Sequence, residues 1–180
     1  LAFTAILVAQ SQWEMVKSKD GIKVYNRKME GSKLKEFKGS VMIKASVNDV
    51  VKVLTNPSLH DKFVYKAKKG SVEVVKKDAN GDLYTYMIIE TPWPASNRDV
   101  VTLYHKEPTA ADGSVTITLR AIKNLKSEVK GNVRVLEMKG YWKVVPMPNN
   151  IVEVTHQAYS SPGGNVPDAL ANSASVDAPF

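Results

Sequence analysis

The sequence predicts an α+β domain: one curved antiparallel sheet of about eight strands, followed by a C-terminal helix. Three observations carry this. Period-two alternation of apolar and polar residues recurs from residue 22 to residue 159. Asn80-Gly81 and Asp112-Gly113 fall between runs, where hairpin turns need positive φ. Helical spacing of apolar residues shows at 45–54 and again after residue 166. With 180 residues and no Pro/Gly/Ser-rich linker, the chain fits a single domain.

Taken in order, residues 1–9 are apolar, and Ala9-Gln10-Ser11 offers small residues at the spacing a signal peptidase prefers. Residues 1–11 are therefore expected to be a signal-peptide remnant, which would place the protein in the periplasm or outside the cell. The alternative is an N-terminal helix packed on the domain. The segment has about half the ~20 residues that a bilayer crossing needs. The domain is assigned to 12–180. Strands are predicted at 22–28, 33–45, 71–77, 83–90, 98–107, 114–123, 132–145 and 151–159, rich in β-branched and aromatic residues and in meander order. A helix at 45–54 takes Ser46 as its cap, with Val47, Val50, Val51 and Leu54 at i, i+3, i+4 and i+7, and Pro57 ends it. Ser161-Pro162-Gly163-Gly164 reverses the chain. A second helix starts near Val166 and Pro167 and buries Val166, Leu170 and Ala174.

The most informative stretch is Thr91-Pro92-Trp93-Pro94-Ala95-Ser96-Asn97-Arg98-Asp99. Pro92 and Pro94 cannot donate to a sheet ladder, so they break the chain between two antiparallel strands. Successive strand residues point to opposite faces, so Arg98 and Asp99 each need a separate partner. Arg98 shares its face with Val100, Thr102 and Tyr104. If that face is covered, its guanidinium needs an anion, supplied either by a carboxylate from a neighbouring strand or by a ligand. Gly140 lies in a strand beside Tyr141 and Trp142, where it is expected to leave room next to an aromatic neighbour.

Composition narrows the function classes. There is no cysteine, which excludes disulfides, thiolate metal sites and a cysteine nucleophile. The net charge of +7 is concentrated early: residues 1–90 carry 16 Lys and Arg against 10 Asp and Glu, and residues 91–180 carry 9 against 8. Lys62, Lys66, Lys68, Lys69, Lys76 and Lys77 form the densest group. They are suited either to transient contact with an anionic membrane surface or to a solvated edge that deters strand pairing. The basic residues are nearly all lysine without an interleaved aromatic platform, so no nucleic-acid partner is expected. His60, His105 and His156 have no metal-ligand spacing among them, and no Gly-x-Ser-x-Gly elbow, phosphate-binding glycine loop or paired-carboxylate motif appears. No catalytic residue, cofactor or metal is assigned.

These motifs together resemble the START domain, the lipid-transfer module of the steroidogenic acute regulatory protein family. The resemblance runs from Trp13 and Gly21-Ile22-Lys23-Val24-Tyr25 through Gly31-Ser32-Lys33-Leu34-Lys35-Glu36 and the Pro92–Asp99 run. It continues to Gly140 with Trp142 and ends at Pro162-Gly163-Gly164, Pro167 and Asn172. It implies a helix-grip fold in which the C-terminal helix roofs a cavity over the sheet. The proline-aromatic-proline run before Ser96-Asn97-Arg98-Asp99 is similar to the phosphatidylcholine-transfer branch, and this implies that Arg98 faces the cavity and meets a phosphate. The sequence departs from the pattern in three places. Phe63 stands where relatives often carry tryptophan, and Tyr104 stands where some sterol-binding relatives are charged. The last helix is followed closely by Phe180, so a shortened roof is expected, with residues 1–8 a candidate to cover the sheet.

The expected function is non-catalytic binding or transfer of a lipid or other hydrophobic molecule. Met87, Ile89, Val100, Ile117, Leu119, Leu136 and Met138 would line the cavity, each buried methylene of the ligand contributing about 0.8 kcal/mol. Arg98, Thr91, Thr102, Tyr104 and His156 would supply the polar contacts that discriminate between ligands. Trp93 is suited to a bilayer interface or to packing on the sheet rim. Two alternatives remain open at this stage: a helix-grip enzyme of the cyclase or hydrolase type, and a protein-interaction domain with a closed core.

Overall fold

The computed structural model describes residues 12–180, so the apolar segment 1–11 and the signal-peptide expectation lie outside the described residues. The strands are β1 (Glu14–Lys19), β2 (Ile22–Lys28), β3 (Lys35–Lys44), β4 (Glu73–Lys77), β5 (Leu83–Ile89), β6 (Asn97–Lys106), β7 (Val115–Ala121), β8 (Asn132–Arg134), β9 (Glu137–Met147) and β10 (Ile151–Ser161). The helices are α1 (Val47–Leu54), α2 (His60–Phe63) and α3 (Asp168–Asp177), with a 3₁₀ turn at Pro57–Leu59. All strands join one curved sheet in the order β1-β2-β3-β10-β9-β7-β6-β5-β4, and β8 pairs with β6 off that path. Every pairing on the path is antiparallel, and β8 runs parallel to β6.

The sheet departs from a pure meander where β3 pairs with β10, placing Phe37 to Lys44 against Ala158 to Ile151. Alternation in the sequence fixes which face a residue takes but not which strand lies beside it, so this pairing was not foreseen. A second departure is the run 132–145, expected to be one strand. It divides after Arg134, where the Val135 amide donates to the Asp99 carbonyl at 2.8 Å. The division turns the buried Val135 toward Met87 and Val100 and leaves Leu136 49% exposed. β1, which continues the sheet beyond β2, was also absent from the expectation.

Across the concave face, residues line up in rows. Tyr104, Leu119, Gly140, Ala158 and Phe37 stand abreast on β6, β7, β9, β10 and β3. Ile117, Trp142, His156 and Gly39 form the next row. Gly140 has a different role from the expected one. A Cβ there would stand 2.3 Å from the Gln157 carbonyl oxygen and 2.8 Å from the Ala158 Cβ, so the glycine lets β9 and β10 approach rather than making room for a ring. At Gly39 the missing Cβ admits Pro179, which follows α3.

α1 begins as its sequence dictates: Ser46 Oγ accepts from the Asp49 amide at 3.1 Å and donates to the Asp49 carboxylate at 2.7 Å. Its buried Val50 and Leu54 pack with Ile117, Val144, Val152 and Val154 and close one end of the concave face. α3 covers another part and is fixed to β2 and β3 by polar side chains. Asn172 Oδ1 accepts from the Lys35 amide at 2.9 Å, its Nδ2 donates to the Lys33 carbonyl at 3.1 Å, and Asn26 Nδ2 donates to Ser175 Oγ at 2.9 Å. Lys17 pairs with Asp177 at 3.0 Å.

On β6, Asp99 and Arg98 point to opposite faces, as the pleat requires. Asp99 is 1% exposed and accepts from Arg134 Nε at 2.7 Å and from the Tyr86 hydroxyl at 3.1 Å. Arg134 Nη2 donates to the same carboxylate at 3.3 Å and to the Ser127 carbonyl at 3.0 Å, and Nη1 donates to the Lys126 carbonyl at 2.9 Å. Removing one partner of such a buried pair leaves an uncompensated charge, so Asp99→Ala is expected to lower the unfolding free energy by about 3–5 kcal/mol. Urea denaturation checks this; a loss below about 1 kcal/mol would mean that the pair does not anchor β8.

Candidate functional site

Between the concave face and α3 lies a cavity of about 350 Å³. The sheet supplies Met87 and Ile89 from β5, Arg98, Val100, Thr102 and Tyr104 from β6, Leu119 from β7, and Met138 and Trp142 from β9. β10 contributes His156, Ala158 and Ser160, with Pro162 just beyond it; every second residue is used because period two sends these side chains to one face. α3 contributes Leu170, Ala171 and Ala174, and the segment after α2 contributes Val64, Tyr65 and Lys66. Thr91 and Pro92 come from the proline turn.

The structure therefore brings Met87, Ile89, Thr91, Arg98, Val100, Thr102, Tyr104, Leu119, Met138 and His156 to one cavity wall. Two expected residues are elsewhere. Ile117 is fully buried on the concave face, but α1 occupies the space above it. Leu136 points outward because the break between β8 and β9 shifts the alternation, and Val135 takes the inward place. Ala158, Ser160 and Pro162 could have been read from the sequence by continuing the alternation from His156. Val135 could not, since nothing local signals the break.

Arg98 is 5% exposed. Its Nε donates to the Pro162 carbonyl at 3.2 Å, Nη2 to the Gly163 carbonyl at 2.9 Å and Nη1 to the Ser96 carbonyl at 2.5 Å. Gly163 and Gly164 have φ of +64° and +59°, which brings this reversal onto the guanidinium; a Cβ on Gly164 would lie 3.4 Å from Nη2. The expected carboxylate from a neighbouring strand is not there: among the described residues Arg98 forms no ion pair, and the buried pair of β6 belongs to Asp99 and Arg134. Burial pulls the Arg98 pKa below its ordinary value, yet a guanidinium stays charged in proteins. Three of its five N–H groups are occupied by carbonyls, leaving one on each Nη.

His156 stacks on Trp142, with ring centroids 3.9 Å apart and 7° between planes, and meets Phe37 edge-on at 5.0 Å. Its ring makes no hydrogen bond to a described residue, and burial pushes its pKa down to about 3, so it is neutral at physiological pH. Nearby, His60 is fully buried and stacks on Tyr104 at 4.5 Å. Its Nε2 donates to the Leu54 carbonyl at 3.1 Å, and its pKa is lowered by burial. Burial pushes the Tyr104 hydroxyl up, so it too stays neutral. The wall thus presents the buried Arg98 cation among neutral His156 and Tyr104 and apolar side chains, with Lys35, Lys66 and Glu90 also in its lining. Trp93, at the tip of the turn beside Pro92, is 92% exposed and does not pack on the rim.

This architecture has counterparts. The chain is 39% identical to a STAR-related lipid transfer protein from Xanthomonas axonopodis and superposes on its crystal structure with a TM-score of 0.84, covering 93% of this chain and 92% of that one. The chain belongs to the STAR-related lipid transfer (START) family. A second relative, an uncharacterized protein of Pseudomonas aeruginosa, is 37% identical over 168 residues, which is 93% of this chain and 81% of that protein. The START fold extends to human StAR-related lipid transfer protein 5, at 15% identity and a TM-score of 0.81, over 93% of this chain and 80% of that chain. No family model matches the sequence.

The titration of the START cavity has a defined sign. His156 and His60 have folded pKa values below the ordinary 6.5, so the unfolded chain binds more protons as the pH falls. Stability contributed by neutral His156 is intact above about pH 7 and declines from about pH 6.5 toward pH 3, by up to about 1.4 kcal/mol per pH unit, and His60 contributes in the same direction. Urea denaturation at stepped pH should show this decline, and His156→Phe should make it shallower. An unchanged slope in that variant would contradict the burial of the ring.

Proposed function

We propose that this START domain binds a lipid or other hydrophobic molecule between its sheet and α3 and moves it between membranes without covalent chemistry. One observation carries the reading: a buried arginine with no ion-pair partner among the described residues faces an apolar cavity of about 350 Å³. That volume falls within the range of about 300–1,000 Å³ typical of small-molecule sites. A domain built only for protein contact gains nothing from keeping such a space beneath a helix, since unfilled apolar space forfeits packing energy.

In this reading the apolar wall shelters hydrocarbon, and Arg98 takes the ligand's anionic group through the two N–H groups its carbonyl partners leave free. Thr91, Thr102, Tyr104 and His156 offer the uncharged polar contacts. Trp93 is the contact with the bilayer interface, where an amphipathic ring is favoured. Lys66 and its neighbours Lys62, Lys68 and Lys69 lie on the segment that runs past the cavity and would favour an anionic surface by about 1 kcal/mol per lysine near it. Relatives named for lipid transfer support the reading.

A transfer assay tests the proposal. Donor vesicles are made from radiolabelled bacterial lipid extract and acceptor vesicles from unlabelled phosphatidylglycerol and phosphatidylcholine. The protein should accelerate movement of label, Arg98→Ala should reduce the rate at least tenfold, and Trp93→Ala should slow it while leaving label bound to the protein. No acceleration, with no label bound, would overturn the proposal.

A further inference from the structure

The charge around the cavity is unevenly placed. The lining holds three cations, Arg98, Lys35 and Lys66, against one carboxylate, Glu90. None of the four forms an ion pair among the described residues. The register of the sheet brings the cations to one end. Along β10 the cavity-facing residues run His156, Ala158, Ser160, and the Arg98 guanidinium is held just beyond them at the Pro162 carbonyl. β3 runs antiparallel to β10, with Gly39 opposite His156 and Phe37 opposite Ala158, so Lys35, two residues on from Phe37, lies toward the Pro162 end. Asn172 of α3 holds the Lys35 amide there. On the other side Ala67 bridges to Ile89, and Ile89 stands opposite Arg98, which sets Lys66 beside the row of the arginine.

The backbone fixes Lys66 in this place. Its φ of +56° lies in the left-handed region, uncommon for a residue with a side chain. Its carbonyl accepts from the Glu90 amide at 2.8 Å, and the Lys68 amide donates to the Ile88 carbonyl at 2.8 Å, so the segment is tied to the end of β5. The rings of the lining gather elsewhere. His156 stacks on Trp142 and meets Phe37 edge-on, and Phe63 meets Trp142 edge-on. Tyr104 is six residues from Arg98 along β6, about 20 Å of extended strand. Beside Lys66 the ring is Tyr65, and the Lys66 ammonium already lies 5.8 Å from its centroid. A quaternary ammonium joined to a phosphate at Arg98 would meet lysine charge where recognition calls for enclosing aromatic faces. A primary ammonium could reach Glu90, but that carboxylate is exposed, and an exposed pair contributes little.

We infer that this START domain selects lipids whose headgroup carries a net negative charge over zwitterionic ones, with Lys35 and Lys66 setting the preference on either side of Arg98. The inference rests on the lipid-binding reading above and deepens it from a phosphate contact to the charge of the whole headgroup. It keeps the phosphate contact that the resemblance to the phosphatidylcholine-transfer branch implied and rejects the choline. A second cation in the ligand is disfavoured by like charge, and specificity of this kind comes from repulsion of the wrong ligand as much as attraction of the right one.

The test is an internal competition. Delipidated protein is incubated with one vesicle preparation that holds phosphatidylglycerol, phosphatidate, phosphatidylcholine and phosphatidylethanolamine in equal amounts and with identical acyl chains. The protein is reisolated by gel filtration, and its bound lipid is identified by native mass spectrometry. All four lipids share one membrane, so attraction of the protein to an anionic surface cannot bias the result. The two anionic lipids should be recovered about fivefold over either zwitterionic lipid, and the ratio should shrink when salt rises from about 0.05 M to about 0.5 M. Lys66→Ala, a change at an exposed position, should lower the ratio, and the double variant Lys35→Gln/Lys66→Ala should bring it near one. Lys139→Ala removes the same charge from an exposed site outside the lining and should leave the ratio unchanged. Recovery of phosphatidylcholine or phosphatidylethanolamine equal to that of the anionic lipids would overturn the inference, as would a ratio that survives in both lysine variants. Either result would leave lipid binding itself standing. Recovery of no lipid at all by the natural protein would overturn both readings.

Discussion

The pleat of β6 at Arg98 and Asp99 is the constraint from which the site follows. Neighbouring residues of a strand must face opposite ways, so two opposite charges adjacent in sequence cannot neutralise one another. Asp99 goes to the opposite face and is neutralised there by Arg134 of the neighbouring β8, with Tyr86 completing its hydrogen bonds. Arg98 goes to the cavity, where its hydrogen-bond partners among the described residues are carbonyl oxygens. β8 runs parallel to β6 with Arg134 opposite Asp99, and the chain breaks between this short pairing and β9.

The roof follows a different rule from the floor. α1 is held by apolar packing, with Val50 and Leu54 seated in the main core. α3 is held largely by Asn172, Ser175 and Asp177, while Leu170, Ala171 and Ala174 turn to the cavity. A net hydrogen bond contributes about 1 kcal/mol, well below the burial of a large side chain. The helix is thus attached without filling the space beneath it. Gly39 completes the arrangement by admitting Pro179 against the sheet, which fixes the end of the chain beside the His156 row.

Much of this was legible in the sequence because alternation is a strong signal. The faces of Met87, Val100, Thr102, Tyr104 and His156 follow from counting by two, and Ser46 announces the start of α1. Other features depend on contacts between distant segments. The pairing of β3 with β10 has no local signature. The reversal of Val135 and Leu136 comes where Arg134 and the Val135 amide both meet Asp99, 35 residues from Arg134 in the chain. Ile117 faces the expected side but misses the cavity because α1 reaches it first. For Gly140 the sequence pointed to an aromatic neighbour, and the close backbone is that of β10. The burial of Arg98 on an apolar face is legible from alternation, whereas its lack of a carboxylate partner among the described residues depends on the pairing of Asp99 with Arg134.

The central claim is that the unpaired guanidinium of Arg98 faces a ligand. Gentle purification from cells, native mass spectrometry of the intact protein and identification of whatever organic solvent extracts test it most directly. The account predicts a stoichiometric, anionic, largely apolar molecule that is lost when Arg98 is replaced by leucine. A protein that emerges without bound lipid under the same conditions, or a ligand retained undiminished by Arg98→Leu, would contradict it.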